Sequence, residues 1–334
     1  MREYASRVIQ VIEWVLITSV VTIASTYAVI VLERMRGLEA PDIHKPGKPR
    51  IPKTAGPAFI TVLLCGLALS LIENTHYVAY HMIAALTAGL IGLYDDFKGI
   101  NAVRKVLILT IPALPVIIGS SYVPRPYVPL IGHMRIHIVY PLLLLPAYTV
   151  SINAYNMIDT HNGVAVTSAL VTSAALAISS VLGWGPPPMD GGLQLTVFVL
   201  AFLISYFAFN SYPARIFNGN SGSFVLGAIV ASEAVLLRRE YLLIMLSTPL
   251  IINGFSLITS VSGLKNKERI TRPVELSHDM KIIPSRSREA PVTLVQLLVL
   301  RRPMNEKELV KSYSVLITLN AVASLIIYYV LSAV

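Results

Sequence analysis

Apolar residues in this chain of 334 residues come in long unbroken runs, neither alternating as in a half-buried strand nor spaced by threes and fours as in an amphipathic helix. A window of about 20 residues, the length that crosses a bilayer as a helix, picks out stretches near 8–33, 55–73, 77–94, 104–121, 136–153, 163–183, 192–210, 222–237, 240–262 and 313–333. A backbone in lipid must satisfy its own hydrogen bonds, so such runs predict helices. The chain is therefore expected to be an all-α integral membrane protein of about ten transmembrane helices, with residues 1–334 forming one polytopic domain. The first run, from Val8 to Leu32, exceeds the roughly 7–15-residue core of a cleavable signal and is expected to be retained. In the longest polar connection, about 263–312, the segment PVTLVQLLVL is too short to span and predicts an interfacial helix or strand.

Composition agrees with this picture. The chain is 54% hydrophobic and 13% charged, with a mean hydropathy of +0.67, against roughly 25% charged in soluble domains. The single cysteine, Cys65, lies in an apolar run, which excludes an intrachain disulfide and a cysteine-based metal site. The net charge of +9 does not point to nucleic acid, because the basic residues sit between apolar runs.

Alternation divides those connections into two sets. Residues 34–54, 95–105, 153–163, 210–221 and 263–312 hold 21 of the Lys and Arg residues, and the opposite set with the termini holds 6. Basic residues favour the cytoplasmic side, so the first set is expected to form five cytoplasmic loops, with both termini outside. Arg238 and Arg239 run against the trend.

The same division gathers the chemistry on one face. In GLIGLYDDFKGINAVRK two adjacent carboxylates, Asp95 and Asp96, close an apolar run, and Lys105 follows nine residues after Asp96. Neighbouring side chains on a helix point about 100° apart, so one carboxylate can face a metal or nucleophile while the other fixes a basic partner; charges that simply end a helix give the same pattern. In SINAYNMIDTHNGVAV, Asn153, Asn156, Asp159 and Asn162 recur at every third residue, predicting one helical stripe of oxygens suited to Mg²⁺ or to a nucleobase edge, or else plain caps and interhelical bonds. His161 beside it reads as an orienting or solvated residue. The run Gly219, Asn220, Ser221, Gly222, Ser223 opens a span with small residues whose N–H groups suit phosphate; close helix packing is the alternative. Arg215 precedes it and suits phosphate recognition. The first loop, DIHKPGKPRIPKTAGPAF, offers Lys45, Lys48, Arg50 and Lys53 among prolines, and the last loop offers Lys267 and Arg269 as diphosphate contacts.

Taken in order from about Ile51 to Leu226, these motifs resemble the polyprenyl-phosphate N-acetylhexosamine-1-phosphate transferase superfamily, glycosyltransferase family 4. IPKTAG and FNSYPARIFNG look closer to its eukaryotic and archaeal, dolichyl-phosphate branch. The resemblance implies ten spans, five cytoplasmic loops and an active site facing the cytoplasm of a prokaryotic, archaeal, cell membrane. It implies transfer of N-acetylglucosamine 1-phosphate from UDP-GlcNAc to a polyprenyl (dolichyl) phosphate, with release of UMP. Asp95, Asp96 and Lys105 fall on catalytic positions, Asp95 orienting or deprotonating the lipid phosphate and Asp96 positioning Lys105. Asn156 and Asn220 fall on ligands of Mg²⁺, for which Mn²⁺ could stand in. Asn162 and Gly163 fall on a uracil-binding pair and Arg269 on a diphosphate-binding arginine; Asp159, Arg215, Lys267 and Lys53, read from the motifs themselves, are expected as further substrate contacts. The implied partners are the UDP-sugar, the lipid phosphate and the bilayer, with a homodimer one allowed assembly. Asn220 stands where the family carries a metal-binding aspartate, and Glu268 and Arg269 where many members carry histidines. The same chemistry on UDP-MurNAc-pentapeptide is one alternative. A secondary transporter is another, and it would place ionisable residues near the bilayer midplane rather than at one face.

Overall fold

The computed structural model describes residues 2–265 and 270–333. It is built from α1 (Arg2–Met35), α2 (Gly56–Ile72), α3 (His76–Lys98), α4 (Ala102–Ile108), α5 (Leu114–Ile118), α6 (Val139–Ile158), α7 (Val164–Val181), α8 (Gly192–Asn210), α9 (Gly219–Leu237), α10 (Glu240–Leu246), α11 (Thr248–Ser260), α12 (Leu294–Val299) and α13 (Glu306–Ala333). Three small antiparallel hairpins fill connections: β1 (Glu39–Pro41) with β2 (Arg50–Pro52), β3 (Tyr127–Val128) with β4 (Gly132–His133), and β5 (Val274–Leu276) with β6 (Ile282–Pro284).

The all-α membrane character stands; the helix count is coarser than expected. Among the described residues six helices are individually long and apolar enough to cross a membrane: α1 from Val8, α3, α7, α8, α9 and α13. Helices α10 and α11 make a seventh candidate bent by 63°. Pro249 opens α11 just past the bend, where its ring removes a backbone donor and crowds the preceding turn. Pro112 and Pro115 act likewise on the stretch 104–121, which is α4, a 3-10 turn at Ile111–Ala113 and α5 instead of one helix. Helix α2 is short, at 17 residues. Helix α6 starts later than expected and runs on through the polar Asn153 and Asn156.

Helix α9 is the axis of the bundle. It is buried from Ser221 to Leu237 and packs against α3, α6, α7 and α8. In lipid no hydrophobic force draws helices together, so close van der Waals approach has to. A Cβ on Gly92 of α3 would lie 2.5 Å from Ser221 Cα, and one on Gly227 of α9 would lie 2.5 Å from Ile152 Cα of α6. Helices α1 and α13 stand outside, exposing apolar side chains such as Val20, Tyr27, Leu319 and Ile326. The first loop is stitched to the α8–α9 connection by Phe217 N–H donating to Pro52 O (3.0 Å) and Ala55 N–H to Phe217 O (2.9 Å). The last loop holds the third hairpin and α12, which Thr293 caps by accepting from Gln296 N–H at 3.3 Å, so PVTLVQLLVL resolves to a helix.

Gly227→Ala should lower the thermal unfolding midpoint of the detergent-solubilised protein, since forcing a methyl into a packed contact costs about 1–3 kcal/mol. An unchanged midpoint would mean that α6 and α9 are not locked together at Ile152.

Candidate active site

The two adjacent aspartates at the end of α3 diverge, and each has a distinct set of partners. Asp95 is buried; its Oδ1 accepts Ile100 N–H at 2.6 Å and its Oδ2 pairs with Lys105 Nζ at 2.5 Å. Lys105, on α4, retains some exposure and lies 5.8 Å from the Phe224 ring centroid. Asp96 turns instead to the start of α9. Its Oδ1 accepts Asn220 N–H at 2.7 Å, and its Oδ2 accepts Ser221 N–H at 3.1 Å, Ser221 Oγ–H at 2.8 Å and Thr54 Oγ1–H at 3.1 Å. Two expectations change here. Lys105 is held by Asp95 rather than positioned by Asp96, because the 100° step between neighbours sends Asp96 to the other side of the helix. The N–H groups of Asn220 and Ser221, expected to suit phosphate, already cradle an anion: the chain's own Asp96, in the position that a helix N-terminus favours for negative charge.

The every-third-residue stripe is also interrupted. Helix α6 stops at Ile158, so only Asn153 and Asn156 lie on it. Asn153 Nδ2 donates back to Thr149 O at 2.8 Å. Asn156 Oδ1 accepts Ser223 Oγ–H at 3.0 Å, and the same hydroxyl lies 3.2 Å from Asn220 O, which brings Asn156 to the first turn of α9. The half-buried Asn220 side-chain amide makes no hydrogen bond among the described residues. Asp159 accepts Asn218 Nδ2–H at 2.8 Å, and Asn218 Oδ1 in turn accepts the Tyr206 hydroxyl at 2.8 Å.

Asn162 belongs to a second, buried network that sequence reasoning missed. Its Nδ2 donates to Asp42 Oδ2 at 2.9 Å and its backbone N–H to Glu306 Oε1 at 3.4 Å. Lys45 bridges the two carboxylates, pairing with Asp42 and lying 3.2 Å from Glu306 Oε2, with its ammonium 5.0 Å from the Tyr212 ring centroid. His44 stacks on His161 at 4.6 Å between centroids. Burial foremost, with His44 and Lys45 adding, pushes the His161 imidazole down to about 3, so it is neutral at physiological pH; it is buried rather than solvated. Asp42, His44 and Glu306 bring three ligand atoms within 4.8 Å of one another, and the Lys45 ammonium already pairs with both carboxylates of that cluster. Gly163 turns the chain into α7 at φ 79°, a left-handed conformation that favours glycine, and its N–H donates to Asn210 Oδ1 at 3.2 Å.

Of the remaining expected contacts, Lys53 Nζ donates to Asp96 O at 3.3 Å. Arg215 is exposed, and no hydrogen bond joins its guanidinium to this cluster among the described residues. Lys267 and Arg269 lie outside the described residues. Away from this end, Glu233, near the far end of α9, is buried and accepts Ser173 Oγ–H at 2.6 Å.

Lys105→Met should lower the thermal midpoint by leaving the buried Asp95 carboxylate without its cation, a loss of about 3–5 kcal/mol where the partner is fully buried and less here. Adding Asp95→Asn should restore most of that stability. A double variant no more stable than Lys105→Met would remove the ion pair from the account.

With this geometry in hand, the relatives are informative. Residues 78–238 match the family described as glycosyl transferase family 4. A protein of Saccharolobus solfataricus named as a UDP-N-acetylglucosamine–dolichyl-phosphate N-acetylglucosaminephosphotransferase is 28% identical over 69% of this chain and 72% of its own. One of the same name from Sulfolobus acidocaldarius is 29% identical over 66% and 69%. A phospho-N-acetylmuramoyl-pentapeptide-transferase of Wolinella succinogenes is 27% identical over 73% and 76%.

Proposed function

We propose that the chain, whose residues 78–238 match glycosyl transferase family 4, is a member of that family that transfers N-acetylglucosamine 1-phosphate from UDP-GlcNAc to a polyprenyl phosphate of the dolichyl type. The products are the polyprenyl-diphospho sugar and UMP. The observation that carries this reading is the convergence of residues from the first loop, the α3–α4 turn, the α6–α7 turn and the start of α9 at one end of the bundle. In this reading all ten apolar stretches cross the membrane, that end faces the cytoplasm of an archaeal cell, and both termini lie outside. The charge asymmetry of 21 against 6 basic residues supports the orientation.

In the reaction an oxygen of the lipid phosphate attacks the β-phosphorus of the nucleotide sugar. The bond from that phosphorus to the bridging oxygen breaks, and UMP leaves with the electron pair. Positioning and charge neutralisation carry phosphoryl transfer, with little covalent chemistry left to the protein. The Lys105 ammonium meets the phosphates as a point charge, and Asp95, which holds it, orients the incoming lipid phosphate. Lys53 and Arg215, with Lys267 and Arg269 from the last loop, add positive charge around the diphosphate. Asp159, tied to Asn218, borders the nucleotide. Asn162, its Nδ2 committed to Asp42, keeps Oδ1 to accept from the base, beside Gly163. The Asn220 side-chain amide, without a hydrogen-bond partner among the described residues and carried on the same turn of α9 whose Ser223 bonds Asn156, fits a hard oxygen-seeking cation. Mg²⁺, or Mn²⁺ in its place, would be held there by Asn156 and Asn220 and would supply neutralisation of the diphosphate. Both donors are uncharged, so the substrate phosphates contribute most of the hold.

Purified protein given labelled UDP-GlcNAc, Mg²⁺ and polyprenyl phosphate should yield UMP and an EDTA-sensitive lipid diphosphate. Failure with both UDP-GlcNAc and UDP-MurNAc-pentapeptide would overturn the reading; product from the second alone would reassign the sugar in the direction of the Wolinella succinogenes relative. Asn220→Asp should reach half-maximal rate at several-fold lower Mg²⁺, and an unchanged Mg²⁺ dependence would take Asn220 out of the metal site. Asp42→Ala should raise KM for UDP-GlcNAc by about tenfold, the worth of one charge-assisted hydrogen bond, while changing kcat less. A pure kcat defect would detach Asp42 from nucleotide binding.

A further inference from the structure

At the other end of α9, one helix length of about 28 Å from Asn220 at 1.5 Å per residue, lies a cavity of about 440 Å³. It is lined by Val123, Arg125, His133, Arg135 and Arg238. Hairpin β3–β4 and its flanks supply four of these residues, and the α9–α10 turn supplies Arg238. Three guanidiniums and an imidazole thus face one space. Among the described residues no carboxylate lies within ion-pair distance of Arg125, Arg135 or Arg238. The nearest acid in sequence, Glu240, accepts the Tyr140 hydroxyl on its Oε1 and acts on Arg238 only from beyond ion-pair distance.

This concentration runs against the bias of the chain. The connections on this side, with the termini, hold only 6 of the 27 Lys and Arg residues, yet three of the six share this cavity. Membrane topology accounts for basic residues on the other side and gives no reason for these. Arg238 also sits at φ 58°, ψ 45° as the left-handed cap of α9, a conformation that costs a side-chain-bearing residue about 1–2 kcal/mol and that glycine adopts freely. A backbone outlier that carries a guanidinium into a cavity is a mark of function. The hairpin is braced by Tyr127 against His133 (5.4 Å between centroids) and by Met134 N–H donating to Pro126 O at 3.1 Å.

We propose that this cavity is a second binding site, remote from the motif cluster, that takes a phosphate group through Arg125, Arg135 and Arg238. Guanidinium forks match phosphate oxygens in pairs. The volume falls in the range of ligand sites, roughly 300–1,000 Å³, which leaves room for a group esterified to the phosphate. The phosphate can come from a membrane lipid headgroup or from a soluble phosphate, and the site would be the same in either case. The assignment is independent of the transferase reading.

Native mass spectrometry of the full chain from phosphatidylglycerol vesicles and from vesicles of a neutral galactolipid, with inorganic phosphate titrated in parallel by calorimetry, tests this. The expected result is retention of phosphatidylglycerol or binding of inorganic phosphate, reduced at least tenfold in Arg125→Gln/Arg135→Gln. Retention of the lipid without phosphate binding identifies the headgroup source, and the reverse identifies a soluble one. Arg238→Gly, which suits the left-handed backbone, should lose binding equally and gives a second reading should the double variant not fold. Absence of both ligands from the wild-type protein, or equal binding in the variants, would overturn the proposal.

Discussion

The motif end of the bundle depends on one carboxylate. Asp96 at the end of α3 accepts from the Asn220 and Ser221 N–H groups in the first turn of α9, from the Ser221 hydroxyl and from Thr54 of the first loop. In one stroke it caps the most buried helix of the protein, fixes the approach of α3 to α9 and ties down the loop. Four donors fill the acceptor positions of its two oxygens. The close approach of Gly92 to Ser221 follows from the same junction.

With Asp96 committed to architecture, the proposed chemistry rests on Asp95 and Lys105, and the remaining first-turn groups of α9 become available. Asn220 and Asn156 meet through Ser223, and both offer neutral oxygens. A site without its own negative charge is suited to a cation that arrives with a diphosphate. The buried Asp42–Lys45–Glu306 network does for Asn162 what Asp96 does for α9: its carboxylates fix a polar group by accepting its N–H groups.

Much of this was legible in the sequence, for identifiable reasons. Long apolar runs are local signals, and they located the helices of the bundle, failing as single helices where proline intervenes, at Pro112, Pro115 and Pro249. Asp95, Asp96, Lys105, Asn156 and Asn162 were legible because polar residues closing an apolar run stand out. Their partners were not. Spacing gives no angle in space, so it could not tell which aspartate faces Lys105, nor that α6 ends at Ile158 and divides the stripe. Asp42, His44 and Glu306 meet across 264 positions of chain, and Glu306 reads in sequence only as the acidic start of the last helix. The basic cavity left one trace, Arg238, one of the two arginines that broke the charge rule.

The central claim is that the adjacent aspartates divide structure from chemistry. Its most direct measurement is thermal stability and turnover, side by side, for Asp96→Asn and Asp95→Asn. In Asp96→Asn an amide N–H₂ replaces an acceptor facing donors, so the unfolding midpoint should fall by several degrees. Asp95→Asn should keep a midpoint close to wild type, since Lys105 can swing to water, while turnover drops by orders of magnitude. A stable but inactive Asp96→Asn, beside an Asp95→Asn that keeps its activity, would contradict the account.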